Sequence, residues 1–184
     1  MTEKPRVDIL DFKIEDIEHV KAGNDFEAHT RPYHETINAK LKLFVNGKET
    51  ELSSKYDLVD TARANYEMVE ELEENGIYQD TPFCDVNGYR ESAVIEWKIT
   101  ETEKGEFNLV MEDNMGRKIG NSSYKVSLSV LEKVATNLLD AVIEFMESKN
   151  IHELNWAKWQ EMSSDSRDNW ASLEELENYR KNLE

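Results

Sequence analysis

One cysteine, Cys84, stands among 184 residues. A lone thiol excludes an internal disulfide and every thiolate-rich zinc site, and it makes a reducing cytoplasm the expected compartment. Apolar residues reach only 39%, and no stretch approaches the roughly 18 needed to cross a bilayer, so no membrane partner is expected. Residues 1–6 lead into no apolar run, so no signal peptide is expected either. The chain has no P-loop, no G-x-G-x-x-G and no G-x-S-x-G. Nucleotide cofactors and an activated serine therefore have no support, and no cofactor is expected. Basic residues are scarce as well: 22 stand against 39 acids, for a formal charge of −17.

What is present is acid, unevenly spread. Residues 57–75 hold seven acids and one base, residues 91–113 hold seven and two, and residues 140–184 hold 11 and five. Residues 114–139, by contrast, are net positive, with four bases to one acid. Such a surface repels nucleic acid and anionic membrane and attracts basic partners over the screening length of the solvent. Direct nucleic-acid binding is disfavoured.

The apolar residues are patterned, which argues for a folded chain despite the charge. Leu10, Phe12 and Ile14 alternate within 6–14, and residues 15–35 read as polar and irregular. Ile37, Ala39, Leu41, Leu43 and Val45 alternate as a half-buried strand, and Asn46-Gly47 turns it back through 48–52. Ser53 or Ser54 is expected to cap a helix over 56–75, with Leu58, Ala62, Tyr66, Val69 and Leu72 inward and Gly76 at its end. Residues 76–91 read as loop. Strands follow at 93–100 and 107–111 about the turn 103–105, and a short one at 117–119. Ser129 with Glu132 forms a capping box for a strongly apolar helix reaching about Lys149. Beyond it, 151–162 and 166–183 read as shorter helices, with a second capping box at Ser172 and Glu175. No internal repeat is visible.

These elements make an α+β protein: two layers, a mainly antiparallel sheet covered on one face by two amphipathic helices, and a C-terminal helical extension. The expected organisation is an α+β domain over 1–150 and a helical arm or lid over 151–184.

Two features suggest partner binding. Asp60, Glu67, Glu71 and Glu74 fall in one sector of the 56–75 helix, a row about 21 Å long at about 1.5 Å per residue. A solvated helix face is the plainer account of that row. Trp156, Trp159 and Trp170 cluster in the C-terminal segment, where aromatics could anchor an interface or pin the arm to the domain. The expected function is that of a non-enzymatic acidic protein that binds and inhibits or neutralises a basic protein: a toxin, a nuclease or a DNA-binding protein. Immunity proteins, phage inhibitors and DNA mimics have this profile in type. Two alternatives come from other classes. One is a structural or assembly protein of phage or prophage origin, forming a homo-oligomer through the C-terminal helices. The other is a metal-dependent hydrolase centred on His29 and His34, which share a loop with Asp25, Glu27 and Glu35; the His-x4-His spacing matches no established metal signature. No metal site is expected. Cys84, beside Asp85, reads as a small buried thiol rather than a nucleophile.

Overall fold

The computed structural model describes residues 4–20, 35–84, 95–113, 123–154 and 172–184; of residues 51, 52, 95 and 113 it describes the backbone. The expected short strand at 117–119 lies outside this set, as does most of the helix expected over 151–162; its described residues, 151–154, are not helical, and Glu153 forms a β-bridge with Ser172 instead.

The alternating segments form strands. β2 (Leu10–Val20), β3 (Thr36–Val45) and β4 (Lys48–Asp57) make an antiparallel meander, and β3 buries Ile37, Ala39, Leu41, Leu43 and Val45. Asn46 and Gly47 have φ of 50° and 81°, the two left-handed residues that a type I′ hairpin requires. A second, five-stranded sheet has the order β1-β8-β7-β6-β5, built from β1 (Arg6–Val7), β5 (Ile77–Asp80), β6 (Ile95–Glu103), β7 (Glu106–Asp113) and β8 (Tyr124–Ser127). Only β1 runs parallel to its neighbour. The α+β class with mainly antiparallel pairing is therefore what the chain adopts, its strands shared between two sheets. Each sheet contains the same succession: three antiparallel strands in chain order, the last passing directly into a helix. β4 leads into α1 (Leu58–Asn75) and β8 into α2 (Leu128–Ser148). The two helices pack on each other, and each touches both sheets.

The sheets are joined by one run of chain. β1 pairs with β8, and two residues later β2 pairs with β3, Leu10 opposite Val45. The Asn46 side chain holds this crossing. Its Oδ1 accepts from the backbone N–H of Asp8 at 2.9 Å and of Ile9 at 3.1 Å, and its Nδ2 donates to the Arg6 carbonyl at 2.8 Å. Phe83 joins the sheets inside. Its ring lies 5.6 Å from Phe12, 5.2 Å from Tyr56 and 5.5 Å from Trp97, residues of β2, β4 and β6.

Four local expectations are corrected. β4 continues to Asp57, opposite Asn38, so Asp57 rather than Ser53 or Ser54 caps α1, accepting from the Asp60 N–H at 3.0 Å. Likewise α2 begins at Leu128, with Ser127 as N-cap and no side-chain cap bond; Ser129 lies inside the first turn and makes no capping box. Strand pairing carries the chain up to the helix start in both cases, and it overrides the local cap signal. Residues 15–20 are strand rather than irregular chain. A bulge between Glu15 and Glu18, with Asp16 at φ 53°, lets β2 continue past the break in alternation. Residues 77–80 of the expected loop form β5.

α3 (Leu173–Asn182) is the described part of the C-terminal extension. Ser172 caps it, accepting from the Glu175 N–H at 3.1 Å, as its S-x-x-E pattern predicts. It packs on α2 and ties to α1 through side chains. Among the described residues no helix is long and apolar enough to cross a membrane.

Candidate acidic binding face

α1 divides into two halves. From Leu58 to Tyr66 every residue but the half-buried Asp60 is buried, whereas Glu67, Glu70, Glu71, Glu73, Glu74 and Asn75 are exposed. At about 100° per residue, Glu71, Glu67, Glu74, Glu70 and Glu73 occupy successive steps of an arc of about 160°. The last turn holds no basic residue. The carboxylates therefore crowd the end of the helix where the macrodipole is already negative. α3 shows the ordinary arrangement, with Glu174 and Glu175 in its first turn and Arg180 and Lys181 in its last.

At one edge of the arc a cavity of about 480 Å³ opens between the helices. Glu70 and Glu73 of α1, Glu132 of α2 and Glu184 beyond α3 bring four carboxylates to it, over an apolar floor of Val69 and Leu183. The Glu132 carboxyl is pushed above its ordinary value by burial, with Glu73 adding to the shift. Burial likewise raises the Tyr66 phenol, and Glu70 and Glu73 reinforce the rise. That phenol donates to Glu70 Oε1 at 2.8 Å and accepts from Asn182 Nδ2 at 2.9 Å. A field that disfavours any further negative charge favours a cation at the same place.

The residues expected to bind a partner are distributed as follows. Glu67, Glu71 and Glu74 lie on the exposed arc. Asp60 does not: its side chain is 13% exposed and contacts Arg63 at 3.4 Å. Arg63 also reaches Glu175 of α3 at 3.2 Å, with Asp57 buried close by. Burial pushes the Asp57 carboxyl well above its ordinary value, and Asp60 pushes it further. The N–H groups of Asp60 and Val59 and the Arg63 charge oppose the shift. Trp156, Trp159 and Trp170 lie outside the described residues, as do His29 and His34 with Asp25 and Glu27. Glu35 is described, and its carboxylate contacts His19 Nε2 at 3.0 Å across β2 and β3. Cys84 is buried and takes part in no disulfide. Among the described residues no three His, Cys, Asp or Glu side chains are grouped to hold a metal. Glu132 and Glu184 carried no signal in the sequence that would join them to α1, since α2 and α3 bring them there from a distance along the chain.

Comparison with protein-family models, with curated proteins and with solved structures finds no match. The fold and this face define the chain only as an α+β protein with a concentrated acidic surface.

Proposed function

We propose that the chain is a non-enzymatic binding protein that captures a basic protein partner on the C-terminal half of α1 and inhibits or neutralises it. The observation that supports this most is the crowding of Glu67, Glu70, Glu71, Glu73 and Glu74 at the negative end of a helix whose last turn holds no base. Glu73 and Glu74, in the last turn, each cost about 0.3–1 kcal/mol against the macrodipole. Like-charge neighbours three and four apart add a few tenths each. Solubility needs only net charge, and the same acids elsewhere would supply it without this cost. A positive surface docking here recovers the lost energy, and long-range attraction steers its approach.

The test is kinetic. Proteins cross-linked to the chain in a lysate of its source cell are identified, purified and bound to it at several ionic strengths. A basic partner is expected whose association rate falls steeply with salt. Changing Glu67, Glu71 and Glu74 together to Gln should lower that rate about tenfold. A partner without net positive charge, or a triple variant that binds at the original rate, refutes the proposal.

A DNA-binding partner is favoured among basic ones by the spacing. Five carboxylates span the seven-residue rise from Glu67 to Glu74 and stand about 2.6 Å apart along the axis, at about 1.5 Å per residue, the same order as the one charge per about 1.7 Å of duplex DNA. Duplex DNA should then compete for the partner at low salt, and its failure to compete removes the DNA-mimic version alone.

A further inference from the structure

We propose that α3 is a strap that opens and closes as a unit over an otherwise intact domain, and that its closure assembles the acidic cavity. α1 has eleven buried residues and α2 seven, whereas α3 has one, Leu176. Leu173, Tyr179 and Leu183 pack against the core only in part. Little apolar burial thus opposes the entropy of ordering ten residues, so α3 is the helix most readily released.

The remaining ties are polar and sit toward the rim. Arg180 Nε meets Asp140 of α2 at 2.6 Å, Glu175 meets Arg63 of α1 at 3.2 Å, and Asn182 donates to the Tyr66 hydroxyl. The Tyr179 ring stacks on Tyr66 with centroids 4.4 Å apart. The Arg180–Asp140 pair is exposed and holds weakly, which leaves Arg63, only 9% exposed, with Glu175 as the one enclosed ion pair of the three ties. The base of the strap is pinned separately, because Leu173 N–H donates to the His152 carbonyl at 2.8 Å and Ser172 bridges Glu153. Release therefore pivots at Ser172.

The far end works against closure. Closing α3 carries Glu184 to the cavity already lined by Glu70, Glu73 and Glu132. It also places Asn182 on the Tyr66 hydroxyl, which in turn fixes Glu70. In the open state the cavity loses three of its lining residues, Asn182, Leu183 and Glu184. The strap thus governs whether the four carboxylates stand together.

Amide hydrogen exchange on the full chain, with no partner present, tests this independently of the proposed function. The hydrogen-bonded amides of α3 should exchange at one common rate, about 100-fold faster than the slowest amides of α1 and α2. Leu176→Ala should speed α3 about 30-fold or more, the factor that loss of a buried leucine side chain carries, and leave the slowest α1 and α2 amides unchanged. Glu132→Gln removes one repelling charge and should slow α3 exchange about threefold. Exchange of α3 together with the slowest core amides overturns the strap, and so does a smooth gradient from residue 183 inward. A Glu132→Gln variant with unchanged or faster α3 exchange overturns the link between closure and the cavity.

Discussion

Replacing Asn46 tests how the two sheets are held together. Its side chain makes three hydrogen bonds to the backbone of residues 6–9, at 2.8, 2.9 and 3.1 Å, where the chain leaves one sheet and enters the other. The site is exposed, so each bond contributes at the low end of the usual range, about 0.5–1 kcal/mol. Asn46→Gly keeps the left-handed backbone and deletes all three, and should cost about 1.5–3 kcal/mol. Asn46→Ala deletes the same bonds and keeps a β-carbon at φ 50° without the polar side chain that lets asparagine tolerate this region, adding up to about 1 kcal/mol. Gly47→Ala is the control. Its β-carbon would meet nothing within 4 Å at φ 81°, so it carries backbone strain alone, again about 1 kcal/mol. Urea unfolding at neutral pH reads the series. With a slope near 2 kcal/mol per molar, Asn46→Gly should lower the midpoint by about 1 M. A glycine variant within about 0.5 kcal/mol of the wild type refutes the idea that this side chain holds the seam.

Other perturbations separate core, cap and surface. Phe83→Ala removes the ring shared by Phe12, Tyr56 and Trp97 and should cost about 3–5 kcal/mol in the same assay, a loss typical of a buried aromatic. Asp57 has its pKa raised in the folded protein by burial and Asp60, so the folded state binds its proton more tightly than the unfolded state. Its contribution to stability therefore falls as pH rises from the ordinary aspartate value through the raised folded one, and is flat above. Asp57→Asn keeps an oxygen to accept the Asp60 N–H and should abolish that part of the slope in stability measured from pH 4 to 8; an unchanged slope refutes the assignment. Glu74→Lys puts a cation at the negative end of α1, beside Glu70 and Glu71. It should stabilise the protein by about 0.5–1.5 kcal/mol while weakening capture of a basic partner, measured by thermal unfolding and association rate.

The elements legible in the sequence were those whose period spoke for itself. β3 with its Asn46-Gly47 turn, β6, β7 and the long apolar face of α2 all follow from alternation or helical spacing. Three strands were hidden because each is short or flanked by signals of another kind: β1 has two residues, β5 has four, and β8 has four that run straight into a helix. Two sheets could not be told from one, since the division depends on where the chain crosses at Asp8 and Ile9. The acidic row was legible as far as helical angles reach, and for that reason it mistook Asp60. That residue shares the angle of Glu67 but lies two turns earlier, where α1 is enclosed and Arg63 and Glu175 stand close. Angular position gives the face of a helix; only packing gives the length over which that face meets water.

The same asymmetry explains why the carboxylates act together. The first half of α1 is fixed by Asp57 at its start and by the buried run through Tyr66, and the second half is anchored by buried Met68, Val69 and Leu72, so its exposed carboxylates stand on a rigid base. Rigidity keeps five carboxylates at a constant spacing, and the helix adds roughly half a negative charge at its end. Glu132, reaching across from α2, has its ionisation opposed first by burial and then by Glu73 of this group. With a screening length near 8 Å at physiological salt, charges spread evenly over the protein would largely be felt one at a time. Gathered within about 10 Å of helix axis at about 1.5 Å per residue, they are felt as one. A partner is therefore selected by the density of its own positive charge rather than by its total, and a protein with scattered lysines should bind far more weakly than one of equal charge with a compact basic cleft.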